Sequence, residues 1–128
     1  MVPLVQVRKT VRGSIPLLPY HELTEYVLGK TYELSIVVCG DRLSRKLNKN
    51  HRKKTYAANV LSFPLAHGEG EIFLNIRCAA REANRYKISL RSRSALLFVH
   101  GLFHLKGLQH GNIMEREEAS VLKKFRLL

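Results

Sequence analysis

Apolar and polar positions recur along this chain with two periods, which predict a mixture of strands and helices. Residues 4–11 alternate as in a half-buried strand, whereas residues 32–39 are rich in β-branched side chains and predict a more deeply buried one. Shorter strands are expected at residues 60–63, where Pro64 should end the strand, and at residues 71–74. The pattern therefore predicts a small sheet of about four strands.

Stretches with helical spacing lie between and after these strands. Their predicted caps or first residues are Pro16, Asp41, Asn75, Ser92 and Asn112. The stretch from 92 to 106 is the most apolar and should form a central helix, while Ala79, Ala83 and Tyr86 should share the buried face of the helix before it. Helices mixed with strands in this order are compatible with several sheet topologies, and the periodicity cannot choose among them.

Length and composition limit the class of protein. The chain has 128 residues, of which 45% are hydrophobic and 25% charged, and this balance predicts one globular domain over residues 1–128. The N-terminus lacks the apolar core of a signal peptide and no run approaches a membrane span, so we expect a cytoplasmic protein without a membrane partner. Cys39 and Cys78 are too few for a disulfide framework and are interpreted as buried thiols.

The net charge of the chain is strongly positive. It contains 22 lysine and arginine residues against 10 aspartate and glutamate residues, which gives a formal charge of +12. Such a charge favours a polyanionic partner, which for this composition means nucleic acid, an acidic membrane surface or a ribosomal neighbour. Charge by itself predicts no chemistry.

The most informative motif is HGLFHLKGLQH, which contains His100, His104 and His110. On a helix the first two lie one turn apart on the same face, so both imidazoles can bind one metal ion. Gly107 tolerates a left-handed backbone, which allows the helix to end and the chain to bring His110 back towards the same ion. We therefore predict a metal site with three histidine ligands.

Three imidazoles suit one Zn²⁺ per chain and leave its fourth tetrahedral position open for water. An open position is typical of catalytic zinc, because structural sites fill all four positions with protein ligands. The ion lowers the pKa of its water and polarises a phosphoryl or carbonyl oxygen, and both effects favour hydrolysis. Each histidine taken alone is more often an ordinary packed side chain, so it is the triplet that favours metal binding.

The same histidine spacing occurs in the metzincin peptidases, and Met114 follows soon after the motif. Those enzymes carry a glutamate directly after the first histidine, where it acts as the general base. Here that position is Gly101, which cannot transfer a proton. A metallopeptidase is therefore the weaker enzyme alternative.

Beyond this motif, the sequence resembles the YbeY family of bacterial endoribonucleases, whose metal motif reads HGxLHLxGxDH. The segment LNKNHRKKTYAANVLSFP, residues 47–64, is similar to the family's LNxxYRxxxxxTDVLSFP, and GEIFL at residues 70–74 is similar to GDIxI. The resemblance covers most of the chain. It implies a zincin-like α+β fold with one zinc ion on the three histidines.

The resemblance also implies cleavage of single-stranded RNA, linked to maturation of the 3′ end of small-subunit ribosomal RNA and to ribosome quality control. Arg52 fills the family's arginine position and so becomes the candidate catalytic residue. An arginine fork near the metal can bind two phosphate oxygens and stabilise the charge that develops during attack. Lys53 and Lys54 would help to hold the strand, although an unplaced charge run is usually a solvated loop.

The chain departs from the family pattern at Ala58 and Asn59, which replace Thr-Asp, and at Gln109, which replaces Asp. Both changes remove negative charge. Where a lost carboxylate oriented a metal ligand, the metal affinity or the rate would change by about 10- to 100-fold.

A stripe of arginines follows the predicted cap at Asn75. Its members are Arg77, Arg81 and Arg85. If helical, they form a ridge that either guides RNA or is an ordinary exposed face.

Taken together, motif, charge and resemblance predict a zinc-dependent endoribonuclease that acts on ribosomal RNA and the small ribosomal subunit. The alternative from another class is a non-catalytic ribosome assembly factor, which would bind RNA through its basic surface and use the metal for folding.

Overall fold

The computed structural model describes residues 4–128, which contain strands and helices in mixed order. The strands are β1 (Val5–Lys9), β2 (Glu33–Cys39), β3 (Val60–Ala66) and β4 (Glu69–Asn75). The helices are α1 (Tyr20–Leu28), α2 (Asp41–Arg52), α3 (Ile76–Tyr86), α4 (Leu90–Lys106) and α5 (Asn112–Lys124).

These strands form a mixed sheet in the order β1-β2-β4-β3. β1, β2 and β4 run parallel to one another, and β3 pairs antiparallel with β4. β2 and β4 lie in the middle of the sheet, where Ile36 pairs with Ile72 and Val38 with Leu74, and all four side chains are fully buried. The predicted α+β class with about four strands is confirmed. The strand order is what the sequence pattern left open.

α4 is the central helix, as predicted, because it packs against α1, α3 and α5 as well as against β3 and β4. Phe98, Val99 and Leu102 have no exposed surface. A helix with neighbours on several sides is apolar around most of its circumference, which explains the weak amphipathic pattern of this segment. Even so, no helix of the described chain has the length and apolar character needed to cross a membrane.

Two predicted boundaries were wrong because of prolines. α1 begins at Tyr20 rather than at Pro16. Leu18 precedes Pro19, and a residue before a proline disfavours the helical conformation, so the helix starts only after Pro19. β3 was expected to stop at Pro64 but continues to Ala66. The proline is tolerated there because β3 is an edge strand, where one ladder donor is dispensable.

Other corrections concern the ends of helices. α2 extends through Arg52 into a segment predicted to be a loop, and it ends where Lys53 adopts a left-handed conformation with φ of 59°. Asp41 and Asn112, which were predicted to be caps, are instead the first residues of α2 and α5, and neither helix has a side-chain cap hydrogen bond. The cap prediction for Asn75 is confirmed, because its side chain accepts the first free amides of α3.

Side-chain burial differs from expectation at two positions. Tyr86 was predicted to be core but is 53% exposed, because it is the last residue of α3 and lies at the edge of the packed face. Its ring lies against the guanidinium groups of Arg85 and Arg93 instead of in the core. Cys39 is buried, and this burial raises its pKa to about 11. Cys78 is partly exposed, so only one of the two thiols is fully buried as predicted.

Candidate metal centre and cleft

The three predicted histidine ligands come together near the C-terminal end of α4. His100 and His104 lie one helical turn apart, and His110 lies in the segment between α4 and α5. Their candidate ligand nitrogens all lie within 4.8 Å of one another, and Nε2 of His100 is 3.0 Å from Nε2 of His104. The three rings thus form a cluster that can hold a metal ion.

The return of the chain to this cluster depends on the turn at Gly107. Gly107 has φ of +105°, and its amide donates to the carbonyl of His104 at 3.0 Å. The amide of Leu108 donates to the carbonyl of Phe103 at 3.0 Å, and together these bonds end α4. A side chain at Gly107 would be strained by the left-handed backbone, although the space around it is open.

The hydrogen bonds of the rings test whether the cluster fits a metal ion. Nδ1 of His100 lies 2.5 Å from Oε2 of Glu118. Because the contact with Glu118 occupies Nδ1 of His100, Nε2 of this ring can present its lone pair to the centre of the cluster. Tetrahedral Zn–N bonds of about 2.0–2.1 Å separate two ligand nitrogens by about 3.3 Å, near the distance observed between His100 and His104. The residues therefore fit a metal ion.

Electrostatics also favour the ligand form of the middle histidine. Burial lowers the pKa of His104, and the neighbouring His100 and His110 lower it further. A lowered pKa keeps the imidazole neutral at neutral pH. Neutral imidazole is the form that binds metal.

The motif analysis did not identify Glu118, which reaches the cluster from α5. Glu118 is only 7% exposed and shares the buried face of α5 with Met114, Val121 and Leu122. A carboxylate that accepts from a ligand histidine fixes its tautomer and orientation and increases its basicity. The available sequence signal was a glutamate at a helical position where the apolar period calls for a hydrophobic residue.

Gly101 explains how His100 can face the cluster while α4 packs tightly on the sheet. A Cβ at Gly101 would lie 2.9 Å from Oγ of Ser62 and 3.2–3.3 Å from side-chain atoms of Ile72 and Val60. Ser62 Oγ also donates to the carbonyl of Gly101 at 3.0 Å. The helix therefore approaches β3 too closely for the glutamate base that a metzincin carries at this position.

The histidines open into a cleft of about 920 Å³, which is bounded by the end of α2, by β3 and by α4. Arg52, the last residue of α2, lines this cleft together with His100, His104 and His110. Its side chain is exposed and has no hydrogen-bond or ion-pair partner in the part of the chain that the structure describes. A free guanidinium beside a cluster that can hold a metal ion is well placed to bind an anion.

The other predicted RNA-binding residues lie outside the lining of the cleft. Lys53 and Lys54 follow Arg52 directly and are exposed. On α3, Arg81 forms an ion pair with both oxygens of Asp41, at 2.8 and 2.9 Å. Arg77 donates to the carbonyl of Arg12, and Arg85 lies 5.1 Å from the ring centre of Tyr86. Their contact with RNA stays a prediction.

The positions that depart from the family pattern have different surroundings. Asn59 lines the cleft, and its Nδ2 donates to both carboxylate oxygens of Glu82, at 3.2 and 3.3 Å. Ala58 is buried, and its carbonyl accepts from Oγ of Ser44 at 2.6 Å. Gln109 is exposed just before His110. Of these positions, Asn59 is the one whose side chain faces the cleft.

Comparison with known proteins finds relatives over nearly the whole chain. The family described as Endoribonuclease YbeY matches residues 6–126. The Endoribonuclease YbeY of Chloroherpeton thalassium is 30% identical over 119 residues, which cover 88% of this chain and 84% of that protein. Those of Mycoplasma capricolum and Geobacter metallireducens are 37% and 35% identical, over 63% and 66% of this chain. In these two cases the chain spans less than two thirds of the relative, 56% and 63% of its length.

A solved structure has a similar fold. The solution structure of TM1509 from Thermotoga maritima aligns with a TM-score of 0.59 over 94% of this chain and 92% of that one, at 17% sequence identity. At this identity the likeness supports the fold alone. The family match over residues 6–126 includes both the histidine motif and the segment around Arg52, so the resemblance identified from those motifs is confirmed. The chain therefore belongs to the YbeY family of endoribonucleases.

Proposed function

We propose that this protein is a metal-dependent endoribonuclease that hydrolyses phosphodiester bonds of single-stranded RNA. The observation that carries the proposal is the shared cleft, in which Arg52 from α2 meets the three histidines. The relatives' name, Endoribonuclease YbeY, supports the same class of reaction. The net charge of +12 favours a polyanionic substrate.

Each residue has a distinct role in this proposal. A metal ion on the histidines would supply a Lewis acid for the phosphoryl oxygen and a water of lowered pKa. Arg52 binds non-bridging oxygens of the scissile phosphate and stabilises the negative charge that grows in the transition state. Glu118 keeps His100 in the tautomer that presents Nε2 to the ion.

The finer assignments rest on the family resemblance. We propose zinc as the metal, because neutral imidazoles in a tetrahedral arrangement suit it. The proposed substrate is ribosomal RNA of the small subunit at its 3′ end, with a role in ribosome quality control and a location in the cytoplasm, where ribosomes are made. Lys53, Lys54 and the stripe of Arg77, Arg81 and Arg85 would contact phosphates outside the cleft.

A second candidate is an assembly factor that binds ribosomal RNA without cutting it. The basic face of α2 favours this candidate. Its exposed members are Arg42, Arg45, Lys46 and Lys49. In that case the metal would stabilise the fold, and the affinity for RNA would depend on salt in the same way.

Cleavage of a labelled single-stranded RNA separates the two candidates. We would compare wild type, chelator-treated protein, protein reloaded with Zn²⁺ and Arg52→Ala, with circular dichroism on every sample. Arg8→Ala is the matched control, because Arg8 lies on β1, at the sheet edge opposite the cleft. Cleavage should require the metal, and Arg52→Ala should lower kcat by about 100- to 1,000-fold without unfolding the protein.

Two results would contradict the proposal. A folded, metal-loaded wild type that binds RNA but leaves it intact would favour the assembly factor. Cleavage by Arg52→Ala at the rate of Arg8→Ala would exclude Arg52 from the reaction.

A further inference from the structure

A second arginine, Arg93, faces the same cleft. Arg93 lies on α4 seven residues before His100, so the two side chains share a helix face and are separated by about 10 Å along the axis. It lines the cleft together with Arg52 and the histidines, and its side chain is 16% exposed. Few arginines are buried to this extent without a defined partner.

That partner is Glu82 of α3. Nε and Nη2 of Arg93 contact Oε1 of Glu82 at 2.9 and 2.8 Å, and the ring of Tyr86 lies 4.9 Å from the guanidinium. Asn59 donates to the same carboxylate from the cleft wall. An aspartate at position 59, which the family pattern carries, would place a second carboxylate beside Glu82, whereas Asn59 adds a donor.

The ion pair leaves part of the guanidinium free. Arginine carries five N–H donors, and within the described chain Nη1 of Arg93 has no hydrogen-bond partner. Glu82 and Tyr86 fix the side chain, so little conformational entropy is lost when its free donors bind an anion. An ion pair that served only to join α3 to α4 would not need to face the cleft.

We infer that Arg93 binds the phosphate adjacent to the scissile phosphate, while Arg52 and the metal site hold the scissile one. This inference rests on the proposed function. The backbone positions of Arg93 and His100 lie about 10 Å apart along α4, and this spacing favours a contact of Arg93 with a neighbouring phosphate over a shared one. Glu82 and Asn59 act as positioning residues for Arg93.

The test compares Arg93→Ala and Arg93→Lys with the control Arg8→Ala in metal-loaded, full-length protein. Initial cleavage rates of a single-stranded RNA give KM and kcat. Fluorescence anisotropy with a single-stranded DNA of the same sequence, which keeps the phosphates, gives Kd at several salt concentrations. Circular dichroism and thermal denaturation establish that each variant is folded.

Arg93→Ala should raise KM and Kd by about tenfold, because one charge-assisted contact to the strand is lost, and it should leave kcat within about twofold of wild type. The slope of log K against log salt should become shallower by about 0.7, the value for one phosphate contact to a single strand. Arg93→Lys keeps the ion pair with Glu82 but lacks the fork, so it should raise KM severalfold. Arg8→Ala should leave the slope unchanged.

Folded Arg93→Lys and Arg93→Ala with wild-type KM, Kd and salt slope would overturn the inference and leave a purely structural ion pair. If Arg93→Ala unfolds, Arg93→Lys decides. A loss of kcat at constant KM would also overturn it. Failure of wild type to cleave would contradict the proposed function alone, because the DNA-binding arm still measures the phosphate contact of Arg93.

Discussion

The arginines of the cleft and the arginines of α3 look alike in the sequence but differ in what they contact. Arg52 has free donors beside the histidine cluster, whereas Arg81 is held by both oxygens of Asp41 on the surface. Arg93 is intermediate, because it is paired with Glu82 and still lines the cleft. A net charge of +12 therefore does not locate a site. A site is located by where the guanidinium donors point, because donors that face a cavity can bind a ligand whereas donors paired with a carboxylate cannot.

The ion pair between Asp41 and Arg81 also connects two helices. Asp41, the first residue of α2, accepts from Arg81 and also from Nδ2 of Asn75, whose Oδ1 caps α3. It therefore links the starts of two helices. The histidine cluster has a comparable link, because Glu118 joins α5 to His100 of α4. The Asp41 link holds two helices together, and the Glu118 link also orients a candidate metal ligand.

The largest effect is expected from removing one of the three candidate metal ligands. His104→Ala should abolish stoichiometric metal binding and reduce RNA cleavage by more than about 100-fold, which exceeds the loss typical of outer partners of a metal site. His67→Ala is the matched control, since His67 is exposed in the turn between β3 and β4. Metal content after gel filtration and initial cleavage rates provide the measurement. Full metal occupancy in His104→Ala would exclude the three-histidine site.

A smaller effect is expected when Glu118, the hydrogen-bond partner of His100, is changed. Glu118→Ala should weaken Zn²⁺ binding by about 10- to 100-fold, because His100 loses the acceptor that fixes its tautomer. Glu118→Gln, whose amide oxygen still accepts, should lose less. Competition with a chromophoric chelator measures the affinity without relying on activity. Equal affinities for wild type and both variants would show that Glu118 contributes only packing.

Weaker still are the effects expected on α3, where the comparison can be sharpened with two variants. If the stripe contacts RNA, Arg85→Ala should weaken affinity by about two- to fivefold with kcat unchanged. Arg81→Ala should have a smaller effect, because Asp41 already neutralises Arg81. Anisotropy with single-stranded RNA on chelated samples gives the two affinities, and initial cleavage rates on reloaded samples give kcat. A larger loss in Arg81→Ala would mean that the ion pair opens to bind RNA.

The smallest effect concerns acid stability of the surface pair. Hydrogen bonds from Arg81 and Asn75 lower the pKa of Asp41 to about 2 from its ordinary 3.8. A carboxyl with a lowered folded pKa stabilises the fold above its unfolded pKa, and this contribution is lost as the pH falls from about 4 towards 2. The Tm difference between wild type and Asp41→Asn should therefore be a few degrees at pH 6 and should shrink over that window. A difference that is constant with pH would exclude the titration of Asp41 as its cause.

Features that depend on neighbours along the chain could be predicted from the sequence alone. The positions of His100 and His104 follow from helical periodicity, and the return of His110 follows from the left-handed turn at Gly107. The cap at Asn75 has the same local origin, whereas the α+β class was predicted from the family resemblance. Arg52 was identified from its place in a family motif, and the fold then brought it into the cleft of the histidines.

Contacts between residues that are distant in sequence depend on how the chain folds and could not be predicted from local patterns. Glu118 lies on a different helix from His100, and Asn59 before β3, Glu82 on α3 and Arg93 on α4 are likewise distant in sequence. The exposure of Tyr86 and the strand order β1-β2-β4-β3 likewise depend on how whole elements pack. A periodic pattern shows which side of an element is buried, but it does not show what covers that side. The partner of a buried charge is fixed by packing of the folded chain, because the free energy of burying it depends on which atoms surround it.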